Sequence, residues 1–148
     1  MNDSERPELK IEFEDAEAYF GGRLHSGAWV DAGYADQRKA IGWAARILDG
    51  AYAWRDGACD VYADGSVLWD RRIIAAVCEQ AIWLLKTDPT HYPELLTLGI
   101  AEGAAGASAK FDRSFVAPLI CDAAKALIGD IGILIGSDGV VQSAFLGG

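Results

Sequence analysis

The chain has 148 residues, 51% of them hydrophobic, with five Trp, five Tyr and five Phe: enough for one domain with its own core, and too apolar for an intrinsically disordered polymer. Its 13 basic and 22 acidic residues leave a formal charge of −9, which repels phosphate and argues against tight, sequence-independent DNA binding but not against a wall that DNA slides past. Cys59, Cys78 and Cys121 are odd in number and widely spaced, which favours reduced thiols in a cytoplasmic compartment over a disulfide framework.

Met1 to Glu8 are polar and charged and read as neither a signal peptide nor a membrane anchor. The longest apolar run, near Ile82 to Leu85, is much too short to span a bilayer, so no membrane partner is expected. Residues 1–12 read as a lead-in segment. Ala16, Tyr19, Phe20 and Leu24 then recur at helical spacing behind Glu12, Glu14 and Asp15, whose charge suits the positive end of a helix dipole. The spacing predicts a helix from about Glu14 to His25, weakened by Gly21-Gly22. Gly27 and Gly33 bracket an expected short connection containing Trp29.

A second helix is predicted from Tyr34 to Tyr52, because Ala40, Trp43, Ala44, Ile47, Leu48 and Ala51 form one apolar stripe. Asp36, Arg38, Lys39 and Arg46 occupy its polar face. After Trp54, the Gly- and Asp-dense stretch from Asp56 to Gly65 favours turns and reads as a loop of functional length. A third helix is predicted from Asp70, a residue suited to N-capping, to Lys86, just before Asp88-Pro89. Ile73, Ile74, Val77, Ala81, Leu84 and Leu85 line one side, and Cys78, Ile82 and Trp83 widen the stripe. A helix this apolar is either central in its own domain or buried against a neighbouring chain. In the second case Ile74, Cys78, Ile82 and Trp83 are the candidate subunit interface.

His91 to Leu98 suggests a short helix, followed by the small-residue tract Gly99 to Ala109, with a short strand expected near Ala107 to Phe111. Val116, Leu119, Ile120, Ala123 and Leu127 mark a last helix ending near Gly129. From Ile131 to Phe145, β-branched runs flank Asp138-Gly139, the pattern of a hairpin or an extended arm. So apolar a strand pair either seeks a partner chain or folds back on its own domain. The expected fold is mainly α: a helical bundle of four to five helices with a small β element and an extended apolar C-terminal arm or hairpin. Residues 1–129 form the expected helical domain and 130–148 the C-terminal arm.

Catalytic signatures are missing from the pattern. His25 and His91 have no further ligand at metal spacing on the same predicted helix, and the nucleophile-elbow, P-loop and dinucleotide motifs are absent. Glu12 with Glu14, and Asp60 with Asp64, are accounted for by solvated faces or caps. No enzymatic activity, metal or cofactor is expected. Among the tryptophans, Trp43 and Trp83 fall in apolar stripes and read as core. Trp69 with Arg71 and Arg72 is the one tight basic and aromatic cluster, and so the candidate nucleic-acid contact of an alternative reading.

Several segments carry a resemblance in their order and spacing. They are Asp15-Ala16-Glu17-Ala18-Tyr19-Phe20 with Arg23-Leu24 and Trp29, Lys39-Ala40, Ala44, Ile47-Leu48-Asp49, Trp54-Arg55, Cys78-Glu79-Gln80-Ala81, Leu98-Gly99-Ile100, and Phe111-Asp112-Arg113-Ser114 before Pro118. Over about two-thirds of its length the chain resembles small phage and prophage proteins labelled DnaT-like single-stranded-DNA-binding proteins, which are also similar to head–tail connector adaptors of long-tailed phages. It departs from them in having Leu68 to Ile74 where relatives carry prolines, and in continuing past the last helix through an apolar tail.

The resemblance implies a structural virion protein, present in the host cytoplasm during assembly and in the neck of the finished particle. There a ring of about twelve copies sits between the portal protein and a tail terminator, stopper or other neck component, with transient passage of double-stranded DNA. It also implies that the C-terminal segment docks on the portal, making Ile131, Ile133, Leu134, Ile135, Val140, Val141, Phe145 and Leu146 the candidate portal-binding residues. An acidic lumen suits a genome that must leave without sticking. The alternative carried by the family label is a single-stranded-DNA-binding accessory protein of replication.

Overall fold

A computed structural model describes residues 6–87 and 120–135. They form five α-helices, one 3-10 turn and four short strands: a mainly α body with a small β element. The first helix, α1 (Phe13–Gly21), opens with a reciprocal capping box between Glu12 and Asp15. It stops four residues short of the predicted His25, because Gly21-Gly22 ends it; the Ser26 hydroxyl shares its proton between the carbonyls of Phe20 and Arg23 at 3.2 and 3.0 Å.

The expected connection around Trp29 is itself a helix, α2 (Gly27–Ala32). Six residues do not hold a helix by propensity, so its tertiary contacts must. Trp29 is buried and stacked on Phe20 at 4.4 Å between centroids, its Nε1–H donates to Glu17 at 3.0 Å, and its carbonyl accepts from Gln37 Nε2 at 2.7 Å. Gly33, at φ +84°, turns the chain into α3 (Tyr34–Ala51), a left-handed conformation that suits glycine.

The predicted stripe of α3 buries Ala40, Trp43, Ala44, Ile47, Leu48 and Ala51. The chain then passes directly into β1 (Tyr52–Trp54). The segment expected as a loop holds a hairpin instead: β2 (Cys59–Val61) runs antiparallel to β3 (Val67–Trp69), pairing Cys59 with Trp69 and Val61 with Val67. Its turn is closed by Gly65 at φ +91° and by the Asp64 carboxylate, which accepts from the Ser66 N–H at 2.9 Å.

Next comes α4 (Arg71–Lys86), capped as predicted: the Asp70 side chain accepts from the Arg72 N–H at 2.8 Å. This helix is the hub, packing against α1, α2, α3 and α5 (Asp122–Ile128). Its fully buried Gln80 accepts from the Cys121 N–H at 2.9 Å through Oε1, tying the start of α5 to α4. After α5, the 3-10 turn Gly129–Ile131 leads into β4 (Gly132–Leu134), which pairs antiparallel with β1, Tyr52 opposite Leu134 and Trp54 opposite Gly132.

That pairing corrects the expected domain boundary. Residues 130–135, assigned to a separate arm, belong to the packed body. The Ile135 N–H donates to the Ala51 carbonyl at 2.7 Å and the Arg55 N–H to the Ile131 carbonyl at 2.9 Å, while Ile131 and Leu134 pack on the core. The physical reason is that β1 has a row of backbone donors and acceptors in need of a partner, and the apolar strand after α5 supplies it. The helix expected over 91–98, the strand near 107–111, the turn at Asp138-Gly139 and the remainder of the tail lie outside the described residues.

Candidate functional site

The expected subunit interface on α4 is divided by the fold. Cys78 and Ile82 are fully buried and belong to the core, whereas Ile74 and Trp83 are half-buried at its margin. A helix gripped on several sides turns its widened stripe inward, so Cys78 and Ile82 are not interface residues. Burial pushes the Cys78 thiol up to about 12, which removes it as a nucleophile at neutral pH.

The Trp69, Arg71 and Arg72 cluster is likewise no stacking platform. Trp69 is buried and set edge-on to Trp54 at 6.1 Å. Arg72 is paired with Asp70 at 3.1 Å and faces Asp130 at 3.7 Å, and Arg71 is exposed. Hydrogen bonding to Arg72 holds the Asp70 carboxyl below its ordinary range, consistent with a helix cap. Of the candidate portal-binding residues, Ile133 is exposed on β4, while Ile131, Leu134 and Ile135 are half-buried. Val140, Val141, Phe145 and Leu146 lie outside the described residues.

A polar contact not foreseen in the sequence ties α1 to the middle of α4. Glu79 accepts from Tyr19 Oη, from Arg23 Nε at 2.7 Å and from Arg23 Nη2 at 3.1 Å. Burial alone would raise the Glu79 carboxyl, but hydrogen bonds from Arg23 and Tyr19 outweigh it and hold its pKa below the ordinary value. Tyr19 is pushed the other way, first by burial and then by Glu79. The set is a structural clamp rather than a reactive group, because each member is stabilised in its ordinary protonation state.

Among the described residues, large hydrophobic side chains are most exposed at two places in the chain. Leu24, Val30 and Tyr34 lie around α2 and the start of α3, and Val61, Tyr62 and Leu68 lie on the hairpin beyond its end, each of the six at least half exposed. The first set lies before and at the start of α3, an 18-residue helix about 27 Å long, and the second follows its end in the chain. In the hairpin register, Leu68 stands opposite Asp60 and Val61 opposite Val67, so Leu68 and Val61 lie on opposite faces of the ribbon.

Beside α3 runs an open groove of about 640 Å³, walled by residues 8–14 and by Tyr34, Arg38, Lys39, Trp43 and Arg46 of the helix. The Arg38 guanidinium lies 5.4 Å from the Tyr34 ring centroid and that of Arg46 lies 5.1 Å from Trp43. Among the described residues, no three His, Cys, Asp or Glu side chains are placed to hold a metal ion, and no helix is long and apolar enough to cross a membrane. Compared with protein-family models, with curated proteins and with solved structures, the chain gives no match in any of the three.

Proposed function

We propose that this protein is a structural subunit of a phage-type virion: a head–tail adaptor that works as a ring of about twelve copies, with a channel for the passage of double-stranded DNA. The observation that carries the proposal is that two dissimilar sets of exposed apolar side chains, Leu24, Val30 and Tyr34 before and at the start of α3 and Val61, Tyr62 and Leu68 on the hairpin after it, are left in water. A ring of identical subunits needs a heterologous interface in which one patch of each copy meets a different patch of the next. Apolar residues clustered on an exposed surface mark such contacts.

The surplus of negative charge fits a lumen that lets the genome leave without holding it. In this arrangement the segment after Ile135, with Val140, Val141, Phe145 and Leu146, docks on the portal, and the exposed Ile133 lies where that segment leaves the body. The ring's other face then receives a tail terminator, a stopper or another neck protein.

Electron microscopy of purified particles tests the proposal: density for the chain is expected in the neck, and its absence there overturns the reading. The single-strand-binding alternative loses the support of the Trp69, Arg71 and Arg72 cluster, because Trp69 is buried and Arg72 is engaged by Asp70. Titration with a labelled oligonucleotide at low salt is expected to give no saturable binding.

A further inference from the structure

We propose that the contact between copies is made by the β2–β3 hairpin of one subunit lying in the α3 groove of the next. The inference rests on the ring reading given above and names the surfaces that would build it.

The hairpin is an unusual projection for a protein of this composition. Between Arg55 and Arg71 the chain has Asp56, Asp60, Asp64 and Asp70 and no basic residue. Val61, Tyr62 and Leu68 add exposed apolar surface, and among the described residues no third strand pairs with either outer edge of the two-stranded sheet. Such a hairpin is marginal alone and gains from being packed.

The groove is its complement. Its α3 wall contributes Arg38, Lys39 and Arg46 as cations together with the exposed Tyr34 ring, while the opposite wall carries Glu8, Glu12 and Glu14 with Lys10 among them. This concentrates positive charge on one face of a chain whose net charge is −9. An acidic occupant is drawn to the α3 wall, and its apolar side chains can lie on the exposed Tyr34 ring. A cleft of about 640 Å³ lies within the common size range of binding sites, about 300–1,000 Å³.

Position makes the contact run head to tail. The groove follows α3 from Tyr34 to Arg46, and the hairpin starts beyond the helix's other end, after Ala51. Each copy therefore presents one hairpin and one groove, and docking one into the other leaves a free hairpin and a free groove at the two ends. Growth continues until the rotation closes a ring.

The test uses the full chain in three forms: wild type, a hairpin variant (Tyr62→Ser with Leu68→Ser) that removes apolar surface without adding charge, and a groove variant (Arg38→Glu with Lys39→Glu). All four positions are exposed, and far-UV circular dichroism checks that the fold is retained. Light scattering coupled to size exclusion is expected to give an oligomer for wild type, with association weakened at least tenfold in each variant. An equimolar mixture of the two variants is expected to give a dimer that grows no further, since it holds one intact hairpin–groove pair.

If wild type assembles and either variant assembles equally well, the hairpin–groove contact is wrong while the ring reading stands. Variants that are both monomeric and form no dimer on mixing also overturn the contact. A wild type that stays monomeric at its highest soluble concentration overturns the ring reading and, with it, this contact.

Discussion

The α3–α4 seam and the strand-bearing end of the molecule are held together by different physics. In the seam, Ile47 and Leu48 of α3 and Ile73, Val77 and Ile82 of α4 are all essentially fully buried. Their contribution is non-directional and scales with the apolar area taken from water. At the strand end, Tyr52 stacks on Trp54 at 5.3 Å, Trp54 meets Trp69 edge-on, and the β1–β4 pair is fixed by backbone hydrogen bonds. Geometry at single points decides whether that end forms. The difference teaches that the seam weakens in proportion to the volume removed from it, whereas the strand end is sensitive to the addition of one atom.

The largest expected effect is in the seam. Leu48→Ala removes a fully buried side chain, and a loss of about 3–5 kcal/mol is expected in urea unfolding, with the far-UV spectrum of the remaining folded fraction unchanged. A loss below about 1 kcal/mol would mean that the seam collapses onto the cavity and is not rigidly packed.

The next effect separates body from tail. A chain ending at Gly129 is expected to be less stable than one ending at Ile135 by about 2–3 kcal/mol, since it lacks β4 and the packing of Ile131 and Leu134 on the core. Equal melting temperatures for the two chains would return residues 130–135 to the arm.

At the strand end the probe is an addition. A Cβ at Gly132 would lie 2.8 Å from Trp54 Cζ3 and 2.9 Å from Cε3, so Gly132→Ala is expected to cost about 1–3 kcal/mol and to alter near-UV circular dichroism from the stacked aromatics. The same substitution at Gly42, where nothing lies within 4 Å of an added Cβ, is expected to be neutral or slightly stabilising through helix propensity.

The smallest effect is the clamp between α1 and α4. Glu79→Gln is expected to cost about 1–2 kcal/mol at neutral pH, because the ion pair with Arg23 is reduced to a hydrogen bond from a cation to a neutral amide and the Tyr19 bond becomes a neutral one. Since the folded-state pKa of Glu79 is depressed, its contribution is complete above its ordinary value of 4.5 and is lost as pH falls through the lower folded value. The gap between wild type and variant should therefore close in acid. A gap independent of pH between 3 and 7, on the scale where carboxylates titrate, would show that charge is not what the clamp uses.

The long helices were legible because their signals are local. The α3 stripe and the Asp70 cap of α4 are written in consecutive residues, and both elements lie where the periodicity predicts them. The short elements were not. Helix α2 exists because Trp29 finds Phe20, Glu17 and Gln37, and no six-residue pattern announces that. The hairpin hid in a stretch whose Gly and Asp residues indicate a turn without showing that short strands flank it.

The candidate site divides in the same way. An apolar α4 stripe allowed either a central helix or a subunit face, and the packing of α5 and α1 against it placed Cys78 and Ile82 inside. The exposed hairpin and the α3 groove were beyond sequence reasoning, because exposure and concavity are properties of elements already assembled.

By itself the sequence determined the fold class, the limits of the two long helices and the sign of the electrostatic field, since each is a sum over local choices of residue. Only the tertiary structure decided that β1 closes on a strand from the far end of the described chain and which apolar residues stay in water. Those outcomes depend on which distant surfaces meet, and the hydrophobic effect, being non-directional, leaves that choice to the packing of the whole body.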